Sequence, residues 1–118
     1  RRFRTAYMPP SYLKSVLGEK DEKSYGVLLA HNPDYFPEYA EWGAELVLSG
    51  HIHGGIIRVP HLGGFISPAI RFFPKYDGGL FKEKGASMVL GRGIGTHAPK
   101  VRLFNPGELI VVELTAQE

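Results

Sequence analysis

The sequence has 118 residues, 43% of them hydrophobic and 22% charged, which fits one folded domain and excludes a largely disordered chain. The formal net charge is only +2, and the single basic cluster, Arg1, Arg2 and Arg4, reads as a solvated chain end, so no nucleic-acid partner is expected. The absence of cysteine excludes a disulfide framework and thiolate metal sites. No apolar run approaches the ~20 residues that a membrane-spanning helix requires, and no signal-peptide pattern is present. The chain opens Arg1-Arg2-Phe3-Arg4 without an initiator Met, and reads as a segment of something longer.

In chain order, residues 1–24 read as a connecting helix and loop. A short helix is expected over Ser11–Leu17, with Ser11 as its N-cap and Gly18 ending it. Residues 25–55 read as a βαβ unit. The apolar run 25–30 predicts a strand buried on both faces. Pro33 stops it, and Asp34 is placed to cap a helix from Tyr35 to Trp42 that Gly43 terminates. Tyr35, Tyr39 and Trp42 share one face of that helix and are expected to pack into the core. Residues 44–49 form a second apolar strand, and a helix between two strands predicts a parallel pair. Residues 56–118 read as mainly β, with antiparallel strands at 56–59, 80–82, 87–91 and 109–114. Turns are expected at Gly63-Gly64, Asp77-Gly78-Gly79 and Asn105-Pro106-Gly107.

The βαβ reading has a chemical consequence, because sites in such units gather at the carboxyl ends of the strands. His31 follows the first strand directly, and His51 and His53 follow the second. Imidazole is a common transition-metal ligand. In extended chain, His51 and His53 point to one side while Ile52 points to the other. Gly50, Gly54 and Gly55 remove side-chain bulk around them, so the chain can turn sharply and a substrate can approach. His31, His51 and His53 are therefore expected to be metal ligands.

The segments Leu28-Leu29-Ala30-His31-Asn32-Pro33-Asp34 and Leu48-Ser49-Gly50-His51-Ile52-His53-Gly54-Gly55 resemble the calcineurin-like metallophosphoesterases. Residues 58–68, 73–80 and 91–97 are similar to a bacterial branch of that family. The resemblance implies an α/β (α+β) fold: the C-terminal half of a β-sandwich flanked by helices. It implies a site with two divalent ions (Mn, Zn or Fe) bridged by a water or hydroxide that attacks a phosphate ester. Carried over, His31 and His51 would share one metal and His53 would reach its neighbour. The family's Asp-X-His, Gly-Asp-X-X-Asp and Gly-Asn-His motifs do not occur in this sequence. Three neutral imidazoles cannot offset two dications, so this chain is expected to hold at most one metal, weakly, and to be inactive alone. Its expected partners are a phosphate-ester substrate and the missing N-terminal half of the domain. Its location is expected to be cytoplasmic, or at a membrane through an N-terminal segment outside this sequence.

Arg92 and His97, in a loop framed by Gly91, Gly93 and Gly95, are candidates to approach a phosphate. Tyr76 and Asp77 are candidates to shape a substrate pocket, although Phe72, Phe73 and Tyr76 also suit simple packing. His61 reads as structural or exposed. The competing expectation is a non-catalytic, β-rich interaction module that associates with itself through exposed apolar surface.

Overall fold

The computed structural model describes residues 7–50, 76, 78–94 and 105–116, and the backbone of 57–59 and 63–66. Its centre is a four-stranded mixed sheet built from β1 (Val27–Leu29), β2 (Leu46–Ser49), β5 (Gly79–Glu83) and β6 (Ala86–Leu90). Strand order is β1-β2-β6-β5. The first two junctions are parallel and the last is antiparallel. Two further strands, β3 (Ile57–Val59) and β4 (Gly63–Ile66), form a separate antiparallel pair with a register shift between Ile57 and Arg58. The α/β class and the parallel β1–β2 pair agree with the sequence.

Helix α1 covers Ser11–Leu17, the expected span. Its cap is Pro10 and no side chain caps it, so Ser11 is the first helical residue and not the N-cap. Ser15 instead turns its hydroxyl back to the Tyr12 carbonyl. Gly18 ends the helix at φ +80°, where a Cβ would be strained. The second helical region begins earlier than expected. A 3-10 turn at Pro33–Tyr35 leads into α2 (Phe36–Trp42). Its cap is Asn32, whose side-chain oxygen accepts the Asp34 N–H at 3.0 Å, so Asp34 donates to the cap and does not supply it. Gly43, at φ +107°, closes α2 as expected.

Helix α2 lays Phe36, Tyr39 and Ala40 on the sheet, where Val47, Met88 and Leu90 are at most 1% exposed. Tyr35 and Trp42 pack at the rim of this core, as their spacing predicts. Phe36 and Phe81 each meet the ring of Tyr76 edge-on, at centroid distances of 6.0 and 5.0 Å. The opposite face is different. Val27 and Leu29 of β1 and Leu80 of β5 are exposed, which corrects the expectation that 25–30 is buried on both faces. The reason is position: β1 is an edge strand, and only one side of the sheet carries a helix.

Three other expectations change. The region 56–118 is not purely antiparallel, because β6 joins the parallel pair beside β2. Gly63 and Gly64 lie inside β4 and not in a turn. Residues 109–114 have no strand pairing, although exposure alternates along them, with Leu109 and Val111 far more open than Ile110 and Val112. The turn that the sequence conceals is Lys84-Gly85. Both residues have positive φ, the two-residue geometry that matches the twist of the β5–β6 hairpin.

The amino edge of the sheet is pinned by one carboxylate. Glu45 accepts the Gly26 N–H at 2.6 Å and pairs with the Lys20 ammonium. The Lys20 hydrogen bond holds its carboxyl below the ordinary range. Trp42 donates its indole N–H to the Gly18 carbonyl at 2.9 Å, tying α1 to α2. Among the described residues, no helix is long and apolar enough to cross a membrane.

Candidate functional site at the carboxyl edge of the sheet

The three parallel strands end together. Beyond the last paired residues of β1 and β2, the Ala30 N–H donates to the Leu48 carbonyl at 3.0 Å. One step further, the Gly50 N–H donates to the His31 carbonyl at 3.3 Å, and the Ser49 hydroxyl reaches the same oxygen at 3.2 Å. The parallel ladder thus continues until His31 stands beside Gly50, the residue before His51. On the other side of β2, the Gly91 N–H donates to the Ser49 carbonyl at 3.0 Å. Arg92 therefore leaves the sheet one strand away from Gly50, since neighbouring strands lie ~4.8 Å apart.

The turn after His31 is held from below. The Asn32 carbonyl accepts the Tyr39 hydroxyl at 2.9 Å, while the Asn32 side chain caps the 3-10 turn. Burial, chiefly, raises the Tyr39 phenol to about 12, so the hydroxyl stays a neutral donor. His31 is exposed, and its Nδ1 lies over Gly50, 3.9 Å from where a Cβ would stand. The lack of a side chain at Gly50 leaves room for the ring.

Arg92 is held by Glu108. One carboxylate oxygen accepts from the guanidinium at 2.7 Å and the other from the Arg92 main-chain N–H at 3.1 Å. The aliphatic stem of Arg92 crosses Gly78, where a Cβ would come within 3.1 Å of it. Sequence reading pointed to Arg92 but not to Glu108, sixteen positions on, and no local pattern announces such a pair. Tyr76 is a core residue, only 4% exposed, and donates its hydroxyl to Glu83 at 3.2 Å. His51, His53, Gly54, Gly55, His61, Asp77 and His97 lie outside the described residues. Among the described residues, no three His, Asp or Glu side chains form a group able to hold a metal.

A sheet that collects an imidazole, a glycine and a clamped arginine at the carboxyl ends of parallel strands has the layout of an α/β ligand-binding or catalytic domain. Comparison with known proteins makes this narrower. The chain is 34% identical over 102 residues to an uncharacterized metallophosphoesterase of Aquifex aeolicus, covering 84% of this chain and 36% of the relative. It is 29% identical over 105 residues to the uncharacterized metallophosphoesterase YkuE of Bacillus subtilis, covering 89% and 36%. It is 28% identical over 93 residues to the UDP-2,3-diacylglucosamine pyrophosphatase LpxG of Chlamydia muridarum, covering 74% and 28%. No family model and no solved structure matches. The chain belongs to the metallophosphoesterase family, and it spans little more than a third of the length of the curated relatives it matches.

Proposed function

We propose that this chain supplies one wall of a divalent-metal centre in a phosphoesterase, with His31, His51 and His53 as ligands and Arg92 as a contact for the phosphoryl oxygens. The observation that carries the reading is the hydrogen bond from Gly50 to His31, which sets the residue before His51 beside His31. An exposed imidazole on a main chain fixed by Gly50, Ser49 and Tyr39 suits a first-row transition metal, for which oriented nitrogen ligands are favoured. When bound, divalent ions supply Lewis-acid stabilisation of a phosphate ester and of the attacking oxygen. The chain's own part is to orient His31, to keep the approach over Gly50 open, and to present Arg92. The substrate class is phosphate esters, and the pyrophosphatase among the relatives adds phosphoanhydrides to it.

Calorimetric titration with Mn2+ or Zn2+ tests the assignment. The chain is expected to take up about one ion weakly, and His31→Ala and His51→Ala are each expected to lose at least about tenfold in affinity, since losing even a ligand's outer-shell partner costs about that much. Equal binding by both variants and the parent would refute the site. The isolated chain is expected to turn over no aryl phosphate.

The partly open sheet face away from α2 favours a second reading, a self-associating β-rich module. Val27, Leu29 and Leu80 on that face are exposed, and such a patch marks an interaction surface. Light scattering should then show concentration-dependent dimers that Leu29→Ser and Leu80→Ser together abolish. A strict monomer at all concentrations would remove this reading.

A further inference from the structure

We infer that Glu108 is a positioning residue for Arg92, and that residues 105–108 act as a strap that locks this arginine at the carboxyl edge of the sheet. The inference rests on the proposed role of Arg92 as an anion contact, which it deepens.

Several observations show that the strap is built and not incidental. Both oxygens of the Glu108 carboxylate are engaged by the same residue, the guanidinium at 2.7 Å and the main-chain N–H at 3.1 Å. The Glu108 N–H in turn donates to the Gly93 carbonyl at 2.9 Å, so the two segments exchange hydrogen bonds in both directions. A Cβ on Gly107 would stand 3.4 Å from the Cα and Cγ2 of Ile94, in van der Waals contact, so the strap runs directly against the 93–94 turn. Asn105, at the start of the strap, is buried. The ion pair itself is largely shielded, with side chains 21% and 24% exposed.

The physical effect concerns orientation. A guanidinium is a planar fork of five donors, and its value for phosphate recognition lies in presenting those donors in one plane. Held only by its flexible stem, Arg92 would sample many rotamers, and each anion contact would have to fix them anew. Glu108 anchors the guanidinium at Nη2 while holding the main-chain N–H of the same residue, Gly78 seats the stem, and the Gly91 register places the whole unit one strand from Gly50. Sixteen residues separate the pair in sequence, so this orientation exists only once the chain end has folded back over the 91–94 loop.

The test uses the 118-residue chain with inorganic phosphate as the probe, followed by NMR of the Arg92 guanidinium Nη–H groups and by thermal unfolding. Arg92→Ala is expected to weaken phosphate binding about tenfold, the scale of a lost charge-assisted contact. Glu108→Ala is expected to do the same while Arg92 remains present, and to bring its Nη–H signals to the rapid exchange and rotation of a free guanidinium. Glu108→Gln, which keeps the length and one acceptor oxygen, should fall between the parent and Glu108→Ala. The double variant should be no weaker than either single one. If Arg92→Ala leaves phosphate binding unchanged, or the parent binds none, the anion-contact reading fails and the inference with it. If Arg92→Ala weakens binding but Glu108→Ala leaves it unchanged or tightens it, the inference alone fails, because Glu108 then serves only stability or competes with the anion. Should Glu108→Ala unfold, Glu108→Gln at equal melting temperature to the parent decides the same question.

Discussion

The two faces of the central sheet are lined with similar apolar side chains, yet only the face under α2 is packed throughout; on the other, Leu46 at the centre is buried and the outer positions stay open. Under α2, Val47 and Met88 are 0% exposed, whereas Leu29 and Leu80 on the other face remain 76% and 62% exposed. The difference teaches that an apolar run reports what a strand is able to bury, while the neighbouring layer decides what it does bury. Strand β1 shows both outcomes within three residues: Leu28 packs against the core and its neighbours Val27 and Leu29 do not.

The comparison is broken most directly by truncating one residue on each face. Met88→Ala removes a fully buried side chain and is expected to cost about 3 kcal/mol, through lost transfer energy and the cavity left behind. Leu80→Ala, at an exposed position, is expected to change stability by less than about 0.5 kcal/mol. Chemical denaturation of both variants measures the contrast. Equal losses would show that Leu80 is covered and that the two faces do not differ.

A smaller effect sharpens the account on the packed face. Tyr39→Phe keeps the ring against the sheet and deletes only its hydrogen bond to the Asn32 carbonyl, so about 1 kcal/mol should be lost at neutral pH. The pH dependence carries more information. The folded phenol is raised to about 12 from an ordinary value of 10.0, so the folded state resists ionisation more than the unfolded chain does. Its contribution is therefore fully present below about pH 10 and is lost as the pH rises toward 12. Unfolding measurements across that window should show a steeper loss in the parent than in Tyr39→Phe. Parallel curves would show that Tyr39 is not the buried donor under the His31 turn.

Much of the packed core and the edge that carries His31 was legible in the sequence. Pro33 and Gly43 punctuate the βαβ unit, and the apolar runs on each side name β1 and β2. A strand–helix–strand order leaves little freedom in how they pair. The place of His31 at the carboxyl edge was legible for the same reason, since it stands where a strand must stop. The partners that arise only on folding were not legible. The pattern of Ser87, Met88 and Val89 says strand but not that β6 lies beside β2. Gly63-Gly64 carries the composition of a turn, yet its backbone is paired with Arg58 and Val59. Residues 109–114 alternate like a strand, but alternation supplies no hydrogen-bond partner. Glu108 looks like any solvated carboxylate until the chain brings it to Arg92.

The central claim is that the ends of β1 and β2 bring His31 and His51 to one metal. Nitrogen-15 NMR of the imidazoles during titration with Zn2+ tests it most directly. The account predicts that the ring signals of His31 and His51 shift together and saturate at the same, weak concentration of metal. A titration in which His51 responds while His31 stays unmoved would contradict it.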